Sequence, residues 1–449
     1  MSLELGSLHL LQKALEKLEA GFGGLPKFEP EVDLHVLEAV LMDVAERMQD
    51  NFPYHHPFYI GQMLKPPHPV ARLAYMLSLW VNPNNHALDG GRCSSAMEKE
   101  AVVDIAKMFG WKSHLGHLCG GGTMANLEAL WIASQLHPGK RILASEQAHY
   151  THNRICGVLG IPFAAVPCDE KARMKIDSLD EMLEKGDVGT VVVTVGTTAT
   201  GSVDPLPAIL ELGRRYGFRI HVDSAYGGYF ILAGNLKPET KATYDKLSEV
   251  DSIVVDPHKH GLQAYGCGCV IFKDPTVGRY YKHDSPYTYF TSSEMHLGEI
   301  SLECSRPGAS AVALWATQRM LPLIRGGQFA QSLERCRNAA VSLFDFLKAD
   351  SRFITALEPE LDIVIWAMKA RTVSEASRLS AALFDAAASE GLHLAKASLP
   401  ASLFTEGHDE LQRHQGSITC LRACLMKPEH LEWMTRITAA LDRAVRKIL

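Results

Sequence analysis

The 449-residue chain has no apolar run approaching the ~18 residues of a membrane-spanning helix. It has no basic surplus either. Lys and Arg number 45 against 51 Asp and Glu, a formal net charge of −6. The electrostatic drive for non-specific nucleic-acid binding is therefore missing, and small molecules are the expected partners. The opening MSLELGSLHLLQKALEKLEAGFG carries Glu4 before its apolar residues and lacks a cationic stretch. It is expected to form a helix rather than a signal peptide. The ten cysteines show no CxxC…CxxC spacing, with Cys267 and Cys269 two apart and Cys420 and Cys424 four apart. They are expected to be buried reduced thiols of a cytoplasmic protein. The 20 histidines contain no HExxH or other paired ligand spacing, so no metal is expected. Internal repeats and low-complexity linkers are absent too.

What is present is a globular composition, 47% hydrophobic and 21% charged, long enough for one large domain and a smaller one. Residues 1–85 read as an N-terminal helical segment, 86–325 as the large domain and 326–449 as a small C-terminal domain. Leu34, Leu37, Leu41, Val44 and Met48 recur at helical spacing within 31–50. Short apolar strands are predicted at 141–144, 162–166, 190–195, 218–222, 252–256 and 268–272, with helices at 96–109, 123–136, 178–185 and 205–216. Such alternation predicts an α/β fold, a mainly parallel sheet flanked by helices. The last two strands are joined by too short a connection for a helical crossover, which predicts an antiparallel pair. The remainder reads as α+β, with strands at 360–368 and 417–425 and helices at 374–390 and 429–449.

Five segments at strand ends carry chemistry. Lys259 follows the strand SIVVD in the turn DPHKHG. Lysine is rarely buried without a partner or a task, and desolvation makes its amine nucleophilic; alone, it could equally be a surface loop residue. Asp223 ends the apolar strand before SAYGG, where a carboxylate could pair with a protonated ring nitrogen or merely cap a turn. Cys119-Gly-Gly-Gly-Thr123 opens a helix. Bare glycine amides and a helix N-terminus make an anion site, or a flexible turn. GTTATG at 196–201 is a polar turn after TVVVTV, and His149 follows strand 141–144. That imidazole could stack on a flat ring or be a satisfied loop histidine. Their common placement favours one cofactor lying across the carboxyl ends of the strands.

The stretches CGGGTMANLEAL, SEQAHY, VGTTATGSVDP, IHVDSAYGG and VDPHKHG, with HHPFYIGQM and LRACLMKP as weaker matches, span residues 55 to about 430. They resemble the group II pyridoxal 5′-phosphate (PLP) dependent amino-acid decarboxylases, the family of the aromatic-L-amino-acid, glutamate, histidine and tyrosine enzymes. The resemblance implies the fold type I, aspartate aminotransferase-like architecture and PLP as cofactor. By residue, it implies that Lys259 tethers the cofactor as a Schiff base. Asp223 would pair with the pyridine nitrogen and His149 stack on the ring. Gly122 and Thr123 would hold the phosphate with help from His258, and Thr198 and Ala225 would line the ring. Ser305 and Arg306 match a segment that often reaches the neighbouring subunit's phosphate, which implies a homodimer. Arg422 matches an arginine able to hold a substrate carboxylate. Tyr287 and Tyr289, in SPYTYFTS, are the candidates for the tyrosine that assists protonation. The chain departs from the family at His260-Gly261, where a bulky residue usually follows HK.

The expected reaction is therefore decarboxylation of an L-amino acid to its amine and CO2. Gln62, Asn85 and Arg92 would favour polar substrates, and Phe58, Tyr59 and Trp80 aromatic ones. SPYT followed by SRPGA also resembles the archaeal-type tyrosine/aspartate decarboxylases and the sphingosine-phosphate lyases, so a retro-aldol lyase is the alternative. No Lys/Arg cluster supplies the second phosphate site a lyase needs. An inactive regulator would have no use for Lys259, Asp223 and His149 together.

Overall fold

The computed structural model describes residues 5–26, 28, 30–282, 296–404 and 411–449. Its larger sheet has seven strands: β1 (Leu115–Cys119), β2 (Arg141–Ser145), β3 (Phe163–Val166), β4 (Val188–Thr194), β5 (Arg219–Asp223), β6 (Ser252–Val255) and β7 (Gly268–Phe272). They lie in the order β1-β7-β6-β5-β4-β2-β3. Strands β2 to β6 run parallel, while β7 is antiparallel to both β6 and β1. The predicted antiparallel pair is thus β6 and β7, whose connection holds turns and no helix. The central strands are apolar on both faces, with Val191, Val192 and Val193 of β4 fully buried, as a parallel sheet covered by helices requires. The helices Gly122–Leu136, Thr151–Leu159, Ile176–Leu183 and Leu206–Tyr216 make the crossovers. Strand β1 was not expected. LGHLC lacks β-branched residues, and it pairs because a Cβ on Gly116 would stand 2.8 Å from the Val270 carbonyl oxygen, so only glycine lets the strands meet.

The second sheet is antiparallel throughout: β8 (Phe353–Thr355), β9 (Ile363–Met368), β10 (Ala395–Pro400) and β11 (Ser417–Cys424), in the order β10-β11-β9-β8. Strands β9 and β11 were predicted. The short β8 and the half-exposed β10 carry too little apolar signal to be read alone. Helices Gln328–Ala349, Val373–Ser389 and His430–Arg446 belong to this part. One apolar cluster takes in Val191 and Val193 of the first sheet and Ile363 and Ile365 of the second, so the two share a core. The N-terminal helix Leu34–Met48, capped by Asp33 accepting from the His35 and Val36 amides, buries none of its residues. Among the described residues no helix is long and apolar enough to cross a membrane.

Candidate active site

The turns after β1, β2, β4, β5 and β6 converge because parallel strands present their carboxyl ends on one edge. A cavity of about 510 Å3 lies there, lined among others by Gly122, Thr123, His149, Thr198, Asp223, Ala225, His258 and Lys259. These eight sequence-identified residues are brought together. Gln62, Asn85, Ser305 and Arg422 are not among the lining residues.

On one side stands Lys259. Its Nζ is 3.0 Å from Oδ2 of Asp256, three residues earlier in the same turn. Asp256 is buried, and its Oδ2 also lies 3.4 Å from Nε2 of His258. The same carboxylate lies under the glycine run, since a Cβ on Gly122 would approach Asp256 Oδ2 to 2.7 Å. Gly121 has a φ of +142° and opens the helix Gly122–Leu136, whose first amides have no intrahelical acceptor. The glycines are thus needed twice, for the backbone path and for close approach to Asp256. Glu303 enters the lining by accepting a hydrogen bond from the Gly120 amide at 3.0 Å.

Asp223 lines the same cavity. The sequence identified it but not its partner His152, whose Nε2 is 2.9 Å from Asp223 Oδ2. The other oxygen accepts from the Ala225 amide at 3.1 Å. Burial alone would raise the Asp223 carboxyl. The His152 hydrogen bond and charge, the Lys259 ammonium and the Ala225 amide outweigh it, and the group is held well below the usual carboxylate range. His149 lies on the cavity wall, its Nδ1 2.7 Å from Thr151 Oγ1. Burial pushes its imidazole down, with Asp223 and Lys259 pulling in opposite senses. The one signal for His152 was its spacing. It sits three residues after His149, in the first turn of the helix Thr151–Leu159.

The remaining candidates have other surroundings. Arg422, on β11, donates from Nη1 to the Thr198 carbonyl at 2.9 Å and from Nη2 to Gln62 Oε1. Asn85 is fully buried and donates to Glu98 Oε2 at 2.6 Å, away from the cavity. Arg306 is buried too, paired with Glu98 Oε1 at 2.8 Å and with the Leu118 carbonyl. Ser305 accepts from Asn84 Nδ2 at 3.1 Å. Tyr287 and Tyr289 lie outside the described residues. His260, the departure after Lys259, is buried edge-on to Tyr226 and Phe230, with Nε2 3.1 Å from Asp362 Oδ2. It fills the space with a polar ring facing a buried carboxylate.

The donor set fits PLP. Backbone amides and Thr123 suit a phosphate. An amine is available at Lys259, and an ionised carboxylate at Asp223 suits a protonated ring nitrogen. Two buried atoms at the glycine end, Asp256 Oδ1 and His258 Nδ1, have no hydrogen-bond partner within the described chain, which marks a site built for a polar ligand.

Comparison with known proteins agrees. Residues 131–369 match the pyridoxal-dependent decarboxylase conserved domain. The chain is 27% identical over 454 residues to an L-tyrosine decarboxylase of Enterococcus faecium, covering 77% of this chain and 74% of that one. It is 32% identical over 279 residues to a probable L-tyrosine/L-aspartate decarboxylase of Methanospirillum hungatei, covering 62% and 72%. The fold superimposes on the crystal structure of Oryza sativa TDC with PLP and tryptamine with a TM-score of 0.79, at 16% identity and full coverage of both chains. With half of its length inside that domain and its lysine, carboxylate and glycine turn on one cavity, this chain belongs to the pyridoxal-dependent decarboxylase family and is a PLP-dependent carboxy-lyase.

Proposed function

We propose that the chain removes the α-carboxylate of an L-amino acid as CO2 and leaves the corresponding amine, with L-tyrosine and L-aspartate, named for the relatives above, the substrates to test first. The observation that carries the reading is the convergence of Lys259, Asp223 and the glycine turn on one cavity. When bound, the cofactor supplies the electron sink for the pair released at Cα. The protein's part is positioning and charge. Asp256 holds the Lys259 amine at the glycine end. Asp223, ionised, would keep a proton on the ring nitrogen. His149, on the cavity wall, would stack on one face of the ring. Arg422 is our candidate for the substrate carboxylate, which it would grip with two parallel hydrogen bonds, exchanging its contact with Gln62. Tyr287 or Tyr289 is our candidate for directing protonation at Cα.

We place the enzyme in the cytoplasm as a homodimer. All ten cysteines are free, as a reducing compartment allows, and the helix Leu34–Met48 offers an uncovered apolar surface to a partner. The reaction is tested by incubating the cofactor-loaded protein with each of the twenty amino acids in D2O. An amine carrying one deuterium at Cα, released with CO2, is the expected product. An aldehyde and a phosphorylated amine from a phosphorylated amino alcohol, with no CO2 from any amino acid, would overturn the reading in favour of a lyase.

A further inference from the structure

Asp223 is fixed from two sides, and only one of them is backbone. Its Oδ1 takes the Ala225 amide at 3.1 Å and its Oδ2 takes His152 Nε2 at 2.9 Å. An ionised carboxylate only accepts, so the proton in the second bond sits on His152 Nε2. This imidazole is fully buried and is not among the residues lining the cavity, so it cannot touch a substrate there. Its Nδ1 has no hydrogen-bond partner among the described residues. Among the described residues, the one side-chain hydrogen bond His152 makes is therefore to Asp223. The nearby His221 does not compete for that carboxylate. It is held by Ser252 Oγ and Asn126 Oδ1, each at 2.9 Å.

We propose that His152 is a positioning residue for the cofactor's ring nitrogen: by donating to Oδ2 of Asp223 it locks the carboxylate plane and weakens it as a base, so that the shared proton stays on the nitrogen. This rests on the reading of Asp223 as the ring-nitrogen partner. The physical reason is competition for one electron-rich group. A hydrogen bond to the ionised form of a carboxylate stabilises that form, and charge-assisted bonds of this kind are among the stronger ones. Without the donor, the carboxylate keeps a buried, unsatisfied oxygen. That oxygen can be satisfied by rotating away from the ring or by taking the proton. Either way the ring loses its positive charge and the electron sink weakens. Local structure makes the device simple. His149 precedes the helix Thr151–Leu159 and His152 lies in its first turn, so one short segment supplies both the residue on the cavity wall and the residue behind Asp223.

The test uses the full chain loaded with PLP carrying nitrogen-15 in the ring. His152→Phe keeps a flat ring and removes the donor. His152→Gln keeps an amide N–H at about the reach of Nε2. The expected nitrogen-15 shift is that of a protonated ring in the wild type and in His152→Gln, and moves toward the unprotonated value in His152→Phe. Turnover in His152→Phe falls about tenfold to a hundredfold, with KM little changed and His152→Gln recovering most of the loss. A wild-type nitrogen-15 shift in a folded His152→Phe overturns the proposal. Should that variant not fold, His152→Asn, whose shorter amide falls short of Oδ2, must show the same displaced shift, and a wild-type shift there overturns it equally. An unprotonated ring in the wild type, or an unchanged shift in Asp223→Ala, would overturn the underlying reading of Asp223 itself, and none of these shifts depends on the substrate.

Discussion

Lys259 and Asp256 form the tightest functional contact of the turn after β6, at 3.0 Å, in a place where the side chain of Asp256 is almost wholly out of water. An ion pair so placed costs desolvation, and removing one partner leaves a buried charge behind. In our proposal the amine tethers the cofactor, and that task would justify the arrangement. We expect borohydride reduction of the PLP-loaded protein to fix the cofactor on Lys259, found as one modified peptide by mass spectrometry. A reduced adduct on any other lysine would remove Lys259 from its role. Gly122 belongs to the same argument. The 2.7 Å separation between a built Cβ and Asp256 Oδ2 means that no side chain is accommodated without moving the carboxylate that holds the lysine.

Between elements, Lys427 joins backbone hydrogen bonds such as that from the Cys424 amide to the Ile60 carbonyl in tying the N-terminal segment to the second sheet. It follows β11 and donates to the carbonyls of Tyr59 at 2.7 Å and His56 at 3.2 Å, with its Nζ 5.4 Å from the centre of the Tyr59 ring. Burial is the largest influence on this amine, with Lys65 adding to it, and pushes it from the usual 10.5 down to about 7. Its sign is as follows. An unfolded chain keeps this proton until about pH 10.5, whereas the folded one releases it near 7. Between those values the unfolded state binds more protons, so stability contributed here rises with pH. Calorimetry at pH 7, 8 and 9 should show the wild-type Tm gaining on that of Lys427→Met as pH rises. Lys65, also pushed down by burial, retains its own share in the variant, so the difference between the two is the quantity to read. Parallel curves would contradict the assignment.

At the scale of the whole molecule, the exposed N-terminal helix is the feature a monomer does not explain. Leu34, Leu37, Val40, Leu41 and Val44 are all more than two-fifths exposed, and a contiguous apolar surface of this kind marks an interface. A C2 dimer would cover it twice through the same patch. Sedimentation at micromolar concentration should give a dimer, and Leu37→Glu combined with Leu41→Glu should shift it toward monomer. An active wild-type monomer would end the dimer reading.

The sequence by itself determined six of the seven strands of the larger sheet, the antiparallel pairing of β6 with β7, and the lysine, carboxylate and glycine turn that meet on the cavity. These are legible because each depends on local pattern: continuous apolar runs, a helix start after glycines, a polar residue at a strand end. Only the tertiary structure decided which residues stand behind them. His152 reaches Asp223 across 71 positions, and its spacing from His149 does not reveal that partner. Strand β1 exists because Gly116 lets it close on β7, a fact of packing between residues as far apart in sequence as Gly116 and Ile271. Asn85, expected to favour polar substrates, and Arg306, matched to a segment that often reaches the neighbouring subunit's phosphate, both stand within hydrogen-bond distance of the buried Glu98. A buried carboxylate must be satisfied where it lies, and only the fold says which donors are within its reach.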